Sequence, residues 1–288
     1  MALLFRNYIG PKSQTIDINF TDVPIYSNIN FHFLLAFARD YDKQNFLTNG
    51  YFFNYWNENN FWSFAATSVN KIIDEYNLDG IDVNYSHVKG SEDDFAYCIG
   101  ELIKMLKEST EEGKFLASIT VSHSVQADYL ALYNKYKQYI DYVGYQFYAE
   151  SHSIQNVTKL REHFTDVSDV FSISKLIAGF SSVKAEEEKL AANVFFKGSE
   201  TLKADNILDG IVIWSADESK PGFENERKLK ICFKLLKLQH QLLRPGQLNM
   251  KSSSSSYIYL QMDSSSHCFD LWPNNAWDMH YVSCVLLS

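Results

Sequence analysis

The chain has 288 residues, long enough for one barrel-sized domain or two ordinary ones. Its 26 basic and 35 acidic side chains leave a net charge of -9 with no basic stripe, which argues against nucleic acid and anionic membrane as partners. No apolar run approaches the ~20 residues of a membrane span, and the stretch Met1–Gly10 reads as a first strand rather than a signal peptide, so a cytoplasmic protein is expected.

Short apolar runs alternate with amphipathic stretches, the pattern of a parallel sheet wrapped by helices. The fold class is therefore α/β, and a TIM (β/α)8-type barrel over residues 1–246 is what the family resemblance carried by Leu78–Val88 implies. Strands are expected at Leu3–Ile9, Asn30–Ala38, Leu78–Ser86, Phe115–Ser122, Tyr139–Tyr148, Lys175–Ser182 and Asp209–Ala216. This makes one strand fewer than a full barrel, and the gap falls between Ala38 and Asn60. Gly50–Trp56 is rich in strand formers and is either a makeshift strand or an aromatic loop over the barrel. A true vacancy would leave unpaired backbone groups on both neighbouring strands.

Leu78–Ser86 carries the most chemistry. Strand side chains alternate with period two, so Ile81, Val83 and Tyr85 share one face while Asp82, Asn84 and Ser86 share the other. A polar file on an otherwise apolar strand suits a barrel interior that opens to a pocket at the C-terminal strand ends, with Ser86 nearest the rim. A surface edge strand with one solvated face is the plainer alternative. A buried Asp82 needs a partner, and Arg6 has the strand phase of Tyr8, so an Arg6–Asp82 or tyrosine-mediated contact is expected. His87 and Ser86 are adjacent on a strand and are expected to point apart, which speaks against a nucleophile–base pair.

Further along, Glu92–Lys107 reads as a helix. Ser91 caps it, Asp94 completes a capping-box-like pattern, and Phe95, Ile99, Leu102 and Leu106 form its buried stripe. A last helix is expected over Glu224–Leu243, ended by Pro245 and Gly246. Residues 247–288 contain serine runs and lose helical periodicity, so a mostly disordered tail is expected; a small β element, or a sugar-binding appendage, is the alternative. The histidines show no metal-ligand spacing and no glycine-rich phosphate loop is present, so no metal or cofactor is expected. The four cysteines show no paired spacing.

Leu78–Val88 resembles the Asp-Gly-x-Asp-x-Asp-x-Glu signature of glycoside hydrolase family 18, the chitinase family. Asp79, Gly80 and Asp82 match; Asn84 stands at the third aspartate and Ser86 at the catalytic glutamate. The order of several other segments, Phe5–Gly10, Phe31–Ala38, Tyr145–Tyr148, Ala178–Ser181 and Gly210–Ser219, is similar to the same superfamily, and more narrowly to narbonin and the RuBisCO-associated protein of legumes. The resemblance implies a substrate-assisted mechanism, in which a glutamate protonates the leaving oxygen while the substrate's own acetamide attacks. Serine is far too weak an acid for that transfer. By the same resemblance Tyr8, Gln146, Tyr148 and Trp214 line the sugar site with Asp82, Asn84 and Ser86: Tyr148 would hydrogen-bond the acetamide and Trp214 would floor the sugar. Core filling is the plain alternative for each aromatic. The implied function is a catalytically inactive chitinase-like barrel that binds N-acetylglucosamine oligosaccharides, associates with a protein such as RuBisCO, or serves as a store. The alternative is an active glycosidase whose acid is displaced to Glu92, Asp217 or Glu218.

Overall fold

The computed structural model describes residues 3–10, 18, 20–26, 29–38, 62–88, 90–111, 114–150, 152–184, 189–229 and 280–287. Seven parallel strands line the barrel: β1 (Leu4–Ile9), β2 (Asn30–Ala38), β3 (Gly80–Tyr85), β4 (Leu116–Val121), β5 (Tyr142–Gln146), β6 (Leu176–Ser181) and β7 (Gly210–Trp214). Helices α1 (Trp62–Tyr76), α2 (Glu92–Glu108), α3 (Gln126–Tyr136), α4 (Val157–Val170) and α5 (Ala192–Ala204) fall between them. The ring closes in the order β1-β2-β8-β3-β4-β5-β6-β7, where β8 is His280–Leu287.

Seven parallel strands are present, as the sequence leads one to expect, and among the described residues the place between β2 and β3 is taken by residues 280–287, running antiparallel to both neighbours. The same segment corrects the expectation of a disordered tail for those eight residues; residues 247–279 lie outside the described residues, as does Gly50–Trp56. The physical reason is the one that makes a gap costly: β2 and β3 would each present an unpaired row of N–H and C=O groups to the interior of a sheet. All six positions of β3 find a partner on β8, from Gly80↔Val285 to Tyr85↔His280.

Strand alternation sorts the side chains as the sequence predicts. Phe5, Ile9, Ile81, Val83, Tyr85, Ala117, Ile119, Val121, Ile211 and Ile213 face outward into the large core beneath the helices. Leu4, Tyr8, Leu34, Ile177 and Val212 form a smaller apolar cluster inside the barrel, with Trp214, Leu116 and Tyr142 against it. Gly80 marks a close approach of β3 to β4: a Cβ there would lie 2.0 Å from the Leu116 carbonyl oxygen.

α2 forms where expected. The Asp94 N–H donates to Ser91 Oγ at 3.1 Å and the Ser91 hydroxyl donates to the Asp94 carboxyl at 2.7 Å, and Phe95, Ile99, Leu102 and Leu106 are all buried. Two boundaries shift. The fifth expected segment, Tyr139–Tyr148, keeps strand pairing only over Tyr142–Gln146, because the chain turns at Phe147–Ala149. The last helix is seen over 224–229, and the rest of Glu224–Leu243 lies outside the described residues. No helix among the described residues is long and apolar enough to cross a membrane.

Candidate functional site

Four strands aim polar side chains at the barrel axis. β3 contributes Asp82 and Asn84, β1 contributes Arg6 and Tyr8, β4 contributes Ser118 and Thr120, and Gln146 ends β5. Asp82 is fully buried, and its two oxygens gather four donors. The Tyr8 hydroxyl donates to Oδ2 at 2.6 Å and Thr120 Oγ1 donates to the same oxygen at 3.0 Å. Ser118 Oγ donates to Oδ1 at 2.5 Å, and Arg6 Nη1 donates to Oδ1 at 3.3 Å in an ion pair closed to solvent on both sides. The expected Arg6–Asp82 contact and the tyrosine-mediated one are both present.

A directional chain runs from this carboxylate towards the strand ends. Asn84 Nδ2 donates to the Tyr8 hydroxyl at 3.3 Å, and Gln146 Nε2 donates to Asn84 Oδ1 at 3.3 Å. Burial, then the Asp82 charge, pushes the Tyr8 phenol well above its ordinary value, so Tyr8 keeps its proton and remains the donor. The Tyr8 ring meets the Trp214 indole edge-on at 5.0 Å. Tyr8, Asp82, Asn84, Gln146 and Trp214 are thus joined by direct contacts. Tyr148 is buried, but in the turn that follows β5 rather than on the strand itself.

Ser86 lies past the end of the strand that carries Asp82 and Asn84. β3 ends at Tyr85, and Ser86 is exposed in the bend that follows. Strand phase no longer applies there, and Ser86 Oγ lies 3.2 Å from His87 Nδ1. This corrects the expectation that the two side chains point apart. Of the displaced-acid candidates, Glu92 is exposed in the first turn of α2. Asp217 is buried and accepts from the Gly10 N–H at 2.9 Å, after β7 and across the barrel from β3. Glu218 follows it in the short helix Ala216–Ser219.

Ser118 and Thr120 were missed in the sequence, although their spacing from Ser122 is the same period-two file that identified Asp82 and Asn84. Glu150 was also missed. It is buried in the outer layer, 2.8 Å from His163 Nε2 and 3.6 Å from His123 Nδ1. Burial would raise its pKa; the neighbouring His163, with Tyr145 and His123, overcomes that and holds the carboxyl below its ordinary value. No short-range pattern links residues 123, 150 and 163, so only the fold reveals this group. No cluster that could hold a metal ion occurs among the described residues.

Comparison with known proteins places this geometry. Residues 37–222 match the endo-beta-N-acetylglucosaminidase EndoS TIM-barrel domain. Chitinase 1 of Tulipa saxatilis subsp. bakeri is 36% identical over 262 residues, covering 76% of this chain and 82% of that protein. The RuBisCO-associated protein of Glycine max is 25% identical over 265 residues, covering 74% and 92%. The crystal structure of the catalytic domain of a fern (Peteris ryukyuensis) family GH18 chitinase superposes with a TM-score of 0.69 at 27% identity, covering 80% of this chain and 99% of that one. With the barrel, the Asp-Gly-x-Asp strand and these matches together, the chain belongs to the chitinase-like glycoside hydrolase family 18.

Proposed function

We propose that this barrel binds N-acetylglucosamine oligosaccharides without hydrolysing them. One observation carries the reading: the signature's acid position holds Ser86, an exposed hydroxyl beside His87. A general acid needs a pKa within reach of the working pH, and an alcohol is far outside it. Asp82 offers no substitute, since both its oxygens are occupied as acceptors by Tyr8, Thr120, Ser118 and Arg6. Asn84, in place of an aspartate, can hydrogen-bond an acetamide but carries no charge to balance a positive intermediate. What remains suits binding: amides on Asn84 and Gln146, the Tyr148 phenol and the Trp214 ring.

The reading extends to the cytoplasm and to a role in protein association or storage. The protein-association part is supported by the likeness to the Glycine max RuBisCO-associated protein, which makes RuBisCO the protein partner to try. Hydrolysis is the second reading, favoured by the 36% identity to a protein named Chitinase 1.

Calorimetric titration with a chitin tetrasaccharide separates these roles. Saturable heat is expected, and Trp214→Ala should weaken it by about 1–3 kcal/mol, the range for stacking and burial of one aromatic group. An absence of heat at millimolar sugar would remove the lectin reading and leave protein association.

A further inference from the structure

β8 differs from its neighbours in kind. It is the antiparallel strand of an otherwise parallel ring, and it joins β2 to β3 although neither is its neighbour in the chain. Fifty residues, 230–279, separate it from the last described helical turn of the barrel. Parallel neighbours are tied to each other by a crossover helix, whereas among the described residues no crossover helix ties β8 to either neighbour. Without it, β2 and β3 are two facing unpaired edges about one strand-width apart, each a template for an extended segment.

We propose that the space between β2 and β3 is a strand-accepting site, and that residues 280–287 occupy it as a separable strap. The segment is suited to the place: His-Tyr-Val-Ser-Cys-Val-Leu-Leu holds β-branched and aromatic strand formers and no proline or carboxylate. Strand addition of this kind draws its affinity from main-chain hydrogen bonds, which requires no sequence-specific pocket. The strap also lies directly against the polar strand. Asp82 pairs with Ser283 and Asn84 with Tyr281, so an occupied slot holds those two side chains in register, and a vacant one leaves β3 an edge strand.

The test keeps the full chain. A protease recognition sequence replaces Lys251–Ser256, the folded protein is cut there, and the fragments are left under native conditions. The C-terminal fragment is expected to co-elute with the barrel on size exclusion. It should exchange with an excess of isotopically labelled peptide of residues 278–288, read by mass spectrometry, and the thermal transition of the cut protein should fall on dilution because the strap is now a ligand. The same peptide carrying Ser283→Pro and Val285→Pro, which lacks two N–H donors, should exchange at least tenfold less. Departure of the fragment with an unchanged thermal transition would overturn the proposal. So would a retained fragment that never exchanges, or equal exchange by the proline-bearing peptide.

Discussion

Four donors converge on Asp82, so the residue reads as a structural anchor that also orders its neighbours. Its ion pair with Arg6 is incomplete on the arginine side: Nε and Nη2 of Arg6 find no hydrogen-bond acceptor among the described residues, and the guanidinium lies 5.7 Å from the Tyr142 ring centre. The same buried positive charge acts on His32 of β2. Burial, then the Arg6 charge, lowers the His32 imidazole from 6.5 to about 3. Its folded form therefore stays neutral where the unfolded chain takes up a proton. Between pH 6.5 and about 3 the unfolded state binds more protons, so stability is lost as pH falls through that window. From pH 7 to pH 5 the expected loss from this residue is about 2 kcal/mol, at about 1.4 kcal/mol per pH unit. Urea unfolding at both pH values should show that loss in the natural chain and a smaller one in His32→Gln; equal losses would show that His32 is not the group responsible.

Gly80 shows how an element constrains its own signature. The glycine that follows Asp79 sits where β3 passes close to β4, with no room for a Cβ beside the Leu116 carbonyl. Since backbone rather than a flexible side chain is in the way, Gly80→Ala should cost about 1–3 kcal/mol by overpacking. A chemical denaturation midpoint unchanged from the natural chain would show that β3 can shift without penalty. The same strand explains what was legible in the sequence. Period-two alternation separated Asp82 and Asn84 from Ile81, Val83 and Tyr85 because one face is buried under α2 and the other lines the barrel. It gave a wrong answer at Ser86 and His87, one residue past the strand end, where alternation has no physical basis. Tyr148 slipped for a similar reason, since the turn at Phe147–Ala149 begins inside an unbroken apolar run. β8 was legible only as the alternative of a small β element in the tail, and its pairing not at all: its partners lie some two hundred residues or more away, and serine-rich surroundings masked eight strand-forming residues.

The whole molecule combines a family 18 barrel with a serine where the family signature has its acid. Seven parallel strands and an inserted antiparallel one complete a ring whose interior places Tyr8, Asp82, Asn84 and Gln146 in one hydrogen-bonded chain with Trp214 against it. Scaffold and chemistry separate because they rest on different residues. The outward faces of the strands and the glycine at position 80 support the barrel, while the signature's acid position is a single residue, Ser86, just past the end of β3. The account is tested most directly by chromatography of chitin tetrasaccharide incubated with the natural chain and with the Ser86→Glu, Asn84→Asp double variant. No products are expected from the natural chain, and the double variant should release them at least ~100-fold faster, the low end of what a positioned general acid supplies. Cleavage by the natural chain at a rate matching the double variant would contradict the account.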